Sequence, residues 1–279
     1  MISIPLMLAC YETPSISGRE HGMVGFLTAV LAAMPGVQVR VDAQLNVYAT
    51  KTGPGDFYPL LVAHTDTVQP MARIDAALDG VHFYGTVPGN PAVRAGIGAD
   101  DKAGILAVLD ILAVLPKAKA IFCTSEEVGY LGALRADASF FDDVGYALEF
   151  DCPGRRTVAV TCGNESLFSE GSLLWQTAGS ILAQHGRTEL QHHPYTDLTG
   201  LRKRFKFECL NVAVGYYQMH SRYEFVRYQD WVQARECGVI LAGSLGCRRY
   251  AHSGVPFRSG QVGRMDIDEP ESYPTGEQF

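Results

Sequence analysis

Short, unbroken apolar runs alternate along this chain with longer segments in which apolar residues recur at helical spacing. Runs of strand length without polar interruption are typical of strands that are covered on both faces. These runs occupy residues 59–63, 119–124, 144–150 and 208–214. Helical spacing is found over residues 20–34, 102–115, 172–185 and 223–243. Residues 37–50 alternate apolar and polar positions, which predicts two half-buried strands joined by a turn.

Buried strands that alternate with amphipathic helices predict an α/β fold. We expect a three-layer α/β/α sandwich around a mixed, mostly parallel sheet. The chain contains no internal repeat and no long linker, so a single domain is expected over residues 1–251. Residues 252–279 are rich in Gly, Ser, Pro, Asp and Glu and lack apolar periodicity. We expect this tail to lie on the surface or to be partly disordered.

Composition indicates which classes of partner are excluded and in which cellular compartment the protein is expected. The formal net charge of -7 argues against a general affinity for nucleic acid, which requires a basic surface. No apolar stretch reaches the roughly 20 residues of a membrane-spanning helix, and the N-terminus lacks the pattern of a signal peptide. The 7 cysteines are scattered without a CxxC pair, which favours reduced thiols. We therefore expect a cytoplasmic protein with neither a nucleic-acid nor a membrane partner.

Histidines and carboxylates collect at the ends of the predicted buried strands, where function concentrates in α/β sheets. Taken singly, each is common in surface turns, on solvated faces or at helix N-caps. The repetition of the pattern at separate strand ends is what favours a shared site. The residues concerned are His64 and Asp66 after 59–63, Asp100 before the helix at 102, Glu126 and Glu127 after 119–124, Asp151 closing 144–150, and His220 after 208–214.

Several carboxylates at one place must be protonated, paired with cations or bound to metal. These segments contain little Arg or Lys apart from Lys102. A divalent metal is the simplest interpretation, and mixed His and carboxylate ligands without cysteine suit zinc, with cobalt or manganese as alternatives.

The same segments resemble, in order, the motifs of the co-catalytic zinc exopeptidases, a superfamily that includes peptidase T, carboxypeptidase G and several aminopeptidases. The resemblance extends from about residue 8 to residue 235. The matching stretches are AHTDTV (63–68), GADDKAG (98–104), TSEEVGYLGA (124–133), EFD (149–151) and VGYYQMHSRYE (214–224).

The resemblance implies a site for two zinc ions within a zinc-exopeptidase catalytic domain over residues 1–251. Asp100 would bridge both ions. His64 and Asp151 would complete one ion's ligands, and Glu127 and His220 would complete the other's. The ions would activate a water molecule for attack on a peptide bond.

Two further roles follow from the resemblance. Glu126 would be the general base, and Asp66 would orient His64 by accepting its second ring N–H. The family pattern also implies a cis peptide bond between Asp100 and Asp101.

The chain departs from the peptidase T and carboxypeptidase G relatives in one respect. Those relatives insert a lid or dimerisation domain between the residues that match Asp151 and His220, and here that span is too short to hold one. We expect a protein without a lid. Within the span, His192-His193-Pro194 is predicted to be a polar loop before a strand, and Asp197 is predicted to cap a helix over 198–204.

Three functions stay open at this point. The first is an aminopeptidase that cleaves the terminal amide bond of short peptides. The second is an amidohydrolase or deacylase that acts on N-acyl amino acids or other non-peptide amides. The third is a non-catalytic relative that serves as a binding module. The sequence fixes neither the substrate nor the oligomeric state.

Overall fold

The computed structural model describes residues 1–68, 73–257 and 263–264, which fold into alternating strands and helices. The strands are β1 (Val37–Val41), β2 (Val47–Lys51), β3 (Tyr58–His64), β4 (Asp75–Leu78), β5 (His82–Val87), β6 (Asn90–Ala95), β7 (Ala118–Cys123), β8 (Val144–Cys152), β9 (Thr157–Cys162), β10 (Glu165–Ser166), β11 (Glu189–His193), β12 (Cys209–Ala213), β13 (Tyr216–Tyr217), β14 (Phe225–Arg227) and β15 (Gly263–Arg264). The helices are α1 (Ile4–Glu12), α2 (His21–Ala32), α3 (Ala99–Val114), α4 (Leu131–Arg135), α5 (Leu173–Gln184), α6 (Asp197–Phe205) and α7 (Tyr228–Leu245), with a 3-10 turn at Ala138–Phe141.

A large mixed sheet runs through the centre of the protein. Its strands follow the order β1-β2-β7-β3-β8-β12-β9-β11-β15, and β10 pairs with β9. The central strands β7, β3, β8 and β12 are parallel to one another. Strands β1 and β2 extend one side in antiparallel pairs, and β9 is antiparallel to β12. The sheet confirms the predicted mixed arrangement with a parallel centre.

Helices cover both faces of this sheet. Residues Ala99 to Leu112 of α3 are buried on every side, because α3 lies between the sheet and α7. Arg235 of α7 donates to Asp110 of α3 over 2.6 Å, which pairs the one carboxylate in that apolar helix interior. On the opposite face, α6 packs against β3, β12 and α4. The protein is thus the three-layer sandwich that the sequence predicts.

The parallel register brings several strand ends to one edge of the sheet. Val62 of β3 pairs with Ile121 of β7 and with Glu149 of β8. His64 follows two residues later, beside Cys123 at the end of β7. Strands β3, β7 and β8 therefore end side by side, and the loops that follow them start at the same place.

A second, smaller sheet was not predicted. Strands β4, β5, β6, β13 and β14 form it, and three of them lie in residues 69–97, for which the sequence analysis predicted no element. Strand β14 also occupies the start of the segment 223–243 that was predicted to be wholly helical, so α7 begins only at Tyr228. The predicted tail falls largely on residues 258–262 and 265–279, which are outside the described residues.

The span between Asp151 and His220 contains no separate lid domain among the described residues. It supplies β9, β10, β11 and β12 to the main sheet and places α5 and α6 on its faces. Among the described helices, none combines the length and the apolar character that a membrane crossing requires.

Candidate metal centre

The predicted ligand residues come from different elements and meet at the carboxyl edge of the central strands. His64 ends β3 and Asp151 lies near the end of β8. Asp100 is at the start of α3, Glu127 follows β7, and His220 lies in the loop between β13 and β14. The structure brings all of these side chains together.

The first group centres on His64. Its Nε2 atom lies 3.0 Å from Oδ1 of Asp100 and 3.6 Å from Oδ1 of Asp151. The His64 side chain is 1% exposed and Asp151 is 3% exposed. These three polar side chains thus face one another in a space that is closed to bulk solvent.

The second group centres on His220. Its Nε2 atom lies 3.2 Å from Oδ2 of Asp100 and 3.2 Å from Oε1 of Glu127. The His220 side chain is 38% exposed, so this group is open on one side. Asp100 belongs to both groups, and each of its carboxylate oxygens faces a different histidine.

The spacing of these atoms fits metal coordination. Ligand atoms bound at 2.0–2.2 Å in a tetrahedral arrangement lie roughly 3.3 Å apart, close to the distances at His64 and His220. One ligand atom each of His64, Asp100 and Glu127 lie within 4.8 Å of one another, and so do those of His64, Asp101 and Asp151. The donors are imidazoles and carboxylates, the set that zinc, cobalt and manganese accept.

Asp101 is a buried carboxylate at the site to which the sequence assigned no role. Its Oδ2 accepts from the backbone N–H of His64 at 3.3 Å, and its Oδ1 accepts from that of Gly104 at 3.0 Å. A Cβ atom on residue 104 would lie 2.2 Å from Oδ1, so only glycine fits there. Asp101 therefore holds the backbone of β3 against α3. The peptide bond between Asp100 and Asp101 is cis, as the family pattern implies.

Asp66 forms hydrogen bonds both with His64 and with the loop that contains Glu126 and Glu127. Nδ1 of His64 lies 3.0 Å from the carbonyl oxygen of Asp66 and 3.5 Å from its Oδ1. The Asp66 carboxylate accepts from the N–H groups of Glu126 (2.8 Å) and Glu127 (3.2 Å) and from the Ser17 hydroxyl (2.8 Å). Asp66 thereby links His64, through its backbone carbonyl, with the Glu126-Glu127 backbone, through its carboxylate.

Glu126 lies beside these groups and has a different environment. Its side chain is 4% exposed, and Oε1 has no hydrogen-bond partner among the described residues. Burial raises the pKa of Glu126 well above its usual range. The residue is thus a carboxylate with a raised affinity for a proton, next to the ligand residues.

The electrostatics of the cluster show a shortage of positive charge. Burial and the neighbouring Asp100 raise the pKa of Asp151 to about 7. Hydrogen bonds with Asp100 and Glu127 raise the pKa of His220 to about 10. Although burial opposes a charge on His64, its contacts with Asp100, Asp151 and Asp66 raise its pKa well above the usual value. Both histidines and Asp151 therefore bind protons more tightly than usual, whereas contacts with the two histidines outweigh burial and lower the pKa of Asp100. Protons on the histidines thus balance the buried carboxylates, a role that bound cations can also fill.

Two further carboxylates lie behind the cluster. Glu149, on β8, and Asp197, in the first turn of α6, are both fully buried. In the described structure, neither carboxylate makes a hydrogen bond of ordinary geometry. Glu149 has a weak contact with Thr196, and Asp197 has one with Cys123. The prediction that Asp197 caps α6 is wrong. Thr196 is the N-cap, because its hydroxyl accepts from Leu198 N–H at 3.2 Å.

The prediction of a polar loop at His192-His193-Pro194 is also wrong, because both histidines lie in β11. His193 is buried, and its Nδ1 lies 2.9 Å from the carbonyl oxygen of Tyr195. Burial lowers the pKa of His193 to about 4, so it is neutral. Strand β11 pairs with β9 near the edge of the sheet, where a strand can be polar. Its polar sequence therefore did not indicate a strand.

No protein-family model matches the chain, and no curated protein sequence matches it. Solved structures do. Aminopeptidase PepT from Bacillus cereus aligns with a TM-score of 0.71 at 16% identity, covering 85% of this chain and 96% of that chain. A tripeptidase from Staphylococcus aureus aligns with a TM-score of 0.65 at 15% identity, covering 85% and 97%.

The TET1 peptidase from Pyrococcus horikoshii has a TM-score of 0.64 at 17% identity, covering 86% of this chain and 98% of that chain. Similarity at such identities shows a shared fold. The protein therefore has the α/β fold of these peptidases, which confirms the fold class and the structural side of the resemblance to the zinc exopeptidases.

Proposed function

We propose that the protein is a two-metal aminopeptidase that cleaves the first amide bond of a short peptide. The observation that carries this proposal is the arrangement of Asp100, whose Oδ1 faces His64 at 3.0 Å and whose Oδ2 faces His220 at 3.2 Å. A carboxylate that offers one oxygen to each of two imidazoles is suited to bridge two cations.

The ligand residues divide between two ions as the resemblance implies. Asp100, His64 and Asp151 would hold one, and Asp100, Glu127 and His220 would hold the other. Zinc suits these donors, with cobalt or manganese as alternatives. Two such ions supply Lewis-acid polarisation of the scissile carbonyl and a lowered pKa for water.

Glu126 is the general base in this proposal. Its unpartnered Oε1 is free to accept a proton from the attacking water and to pass it to the leaving amine. The backbone of Glu126 is held by its N–H bond to Asp66, so the carboxylate keeps its place beside the ligands. Burial raises the pKa of Glu126, which strengthens the carboxylate as a proton acceptor.

Charge favours an amino terminus over a carboxyl terminus as the bound end of the substrate. When Glu126 is deprotonated, the five carboxylates of Asp66, Glu126 and the ligand residues Asp100, Glu127 and Asp151 would carry one negative charge more than two divalent ions neutralise. Within the described residues, none of these carboxylates pairs with Arg or Lys, and the Lys102 ammonium donates to the carbonyl of Tyr11 instead. A substrate ammonium group is therefore attracted to the site, whereas the free carboxylate of an N-acyl amino acid is repelled.

We infer that the protein works in the cytoplasm. All of its cysteines are free thiols, and every one except Cys247 is buried. Such a set persists in a reducing compartment.

Substitution of Glu126 tests the enzymatic proposal. Glu126→Gln keeps the volume but removes the base, so hydrolysis of an alanine-containing dipeptide should fall about 10²–10⁴-fold while two equivalents of zinc stay bound. Rates and metal content by plasma mass spectrometry would be measured together. Glu127→Gln should instead lose metal, and Glu189→Gln, which alters an exposed ion pair with Arg156, should change nothing.

The choice of substrate end is tested in the same assay with matched peptides. A dipeptide with a free amino end and an amidated carboxyl end should be cleaved, and its N-acetylated counterpart should not. Cleavage of the acetylated peptide alone would establish the deacylase instead. A wild-type protein that binds fewer than two equivalents of metal and cleaves neither peptide would exclude both enzymes.

A further inference from the structure

Tyr195 lies in the short loop between β11 and α6, next to the site but outside the ligand set. Its side chain is 39% exposed. Its ring centroid is 6.1 Å from that of Tyr130. Tyr130 in turn is tied to the base, because its backbone N–H donates to the carbonyl of Glu126 at 2.8 Å. The Tyr195 ring therefore packs beside a residue that is bonded to the backbone of Glu126.

The backbone around Tyr195 is held on both sides. His193 contacts the carbonyl oxygen of Tyr195 and also the backbone of Asp151. The next residue, Thr196, forms a reciprocal capping box with Thr199 at the start of α6. A side chain mounted between two such anchors has a defined position, which a group that acts on substrate needs.

The Tyr195 hydroxyl is available to a ligand. It makes no hydrogen bond within the described part of the chain, although it lies close enough to Glu126, Glu127 and Asp100 for their charges to act on it. Partial burial and these carboxylates raise the pKa of the phenol, so it stays protonated and can donate.

Amide hydrolysis places negative charge on the carbonyl oxygen of the substrate, and a positioned donor stabilises that charge. Three other donors near the site already have partners. The Lys102 ammonium donates to the Tyr11 carbonyl at 2.8 Å, and the Tyr217 hydroxyl donates to Asp230 at 2.6 Å. The buried Tyr216 hydroxyl faces Asp151 at 3.5 Å. Tyr195 combines partial exposure, a fixed backbone and a free hydroxyl.

We propose that Tyr195 is a catalytic residue whose hydroxyl donates a hydrogen bond to the substrate carbonyl oxygen as that oxygen gains negative charge. The phenol keeps its proton throughout and forms no covalent bond. The inference rests on the proposed hydrolase function, because it concerns the same site. A bond that strengthens as charge develops raises kcat more than it lowers KM.

Tyr195→Phe removes the hydroxyl and keeps the ring, so it is the decisive variant. We expect kcat for the free-amino dipeptide to fall about 10²-fold with KM within about threefold of wild type. Metal content should stay at two equivalents. Tyr58→Phe is the matched control, because Tyr58 begins β3 at the opposite edge of the sheet and its phenol also lies near a carboxylate, that of Asp143. It should leave kcat unchanged.

A second measurement separates catalysis from folding. Binding of a phosphinic dipeptide analogue, which mimics the tetrahedral state, should weaken in Tyr195→Phe by about the same factor as kcat/KM. The thermal midpoint should stay equal to that of wild type.

Equal activity and equal analogue affinity in Tyr195→Phe and wild type would overturn the inference and leave the proposed hydrolase standing. A rise in KM with unchanged kcat would also overturn it, because it would indicate ground-state binding only. If wild type itself hydrolyses no peptide, the proposed function fails and the inference fails with it.

Discussion

The two halves of the candidate metal centre are built differently. The His64 half, made of His64 and Asp151, comes from the ends of two central strands and is sealed from solvent. The His220 half, made of Glu127 and His220, comes from two loops, and the histidine is 38% exposed. Asp100 joins the halves. The sheet therefore fixes one half, and the other half is open to solvent.

Backbone conformation follows the same division. Ser125, Gln218 and His220 adopt φ values of 56°, 53° and 61°, in the left-handed region that residues other than glycine rarely occupy. All three lie on the loops that carry the His220 half. His64 and Asp151 are in ordinary strands. Of the two halves, it is the solvent-facing one whose loops contain these strained positions.

The largest effect should come from the residue that the halves share. Asp100→Ala removes both oxygens of the carboxylate that faces the two histidines, so under the proposed function metal content should fall below one equivalent and hydrolysis should fall at least about 10³-fold. Zinc would be measured after dialysis, with rates on the same samples. Asp79→Ala, at an exposed acid that accepts from His82, serves as the control. Retention of two ions by Asp100→Ala would show that the halves bind metal independently.

Substitution of the two histidines should then lower the stability of the protein by unequal amounts. His64→Ala leaves Asp66, Asp100 and Asp151 without their common partner in a buried space, so the free energy of unfolding should fall by about 3 kcal/mol. His220→Ala, at a part-exposed position, should cost about 1 kcal/mol or less and should keep the ion of the His64 half. Urea unfolding of the metal-free proteins and zinc titration would test both. Equal losses of stability in the two variants would contradict the view that the His64 half is more strongly fixed than the His220 half.

A smaller effect is expected at Asp66, which contacts both halves. Asp66→Asn places an amide where a carboxylate oxygen accepts from Ser17 or from the glutamate N–H groups, so zinc affinity should fall about 10–100-fold. Ser17→Ala removes one of these bonds and should cost about 1 kcal/mol. Competition with a zinc chelator would measure the affinities. A change confined to the His64 half would show that the N–H bonds to Glu126 and Glu127 are dispensable.

The fold and the convergence of the site were predictable because both depend on local patterns. Uninterrupted apolar runs mark β3, β7 and β8, and parallel strands must end at one edge, so the side chains after them meet. The roles given to Glu126 and to the ligand residues stay predictions until metal is measured.

What the sequence missed has a common physical cause. Strand β6 is largely exposed and β4 has no fully buried residue, so both lack the apolar pattern by which a buried strand is recognised. The positions of Tyr195 and Asp101 depend on backbone turns and on contacts between distant segments, such as Asp101 with the N–H of His64. No local pattern encodes these contacts. Only the doubled aspartate at 100–101 hinted that a second carboxylate was needed there.

The position of β12 affects how the chain reaches this structure. Strand β12 lies between β8 and β9, although β9 is synthesised first. The sheet therefore stays open at its centre until residue 213 is available, and loop closure over such separations slows folding. His220 follows β12 directly. A growing chain can assemble the His64 half first, and the complete metal centre forms only when the central strand has been inserted. Uptake of a full set of metal ions during synthesis would thus mark the moment at which the sheet closes.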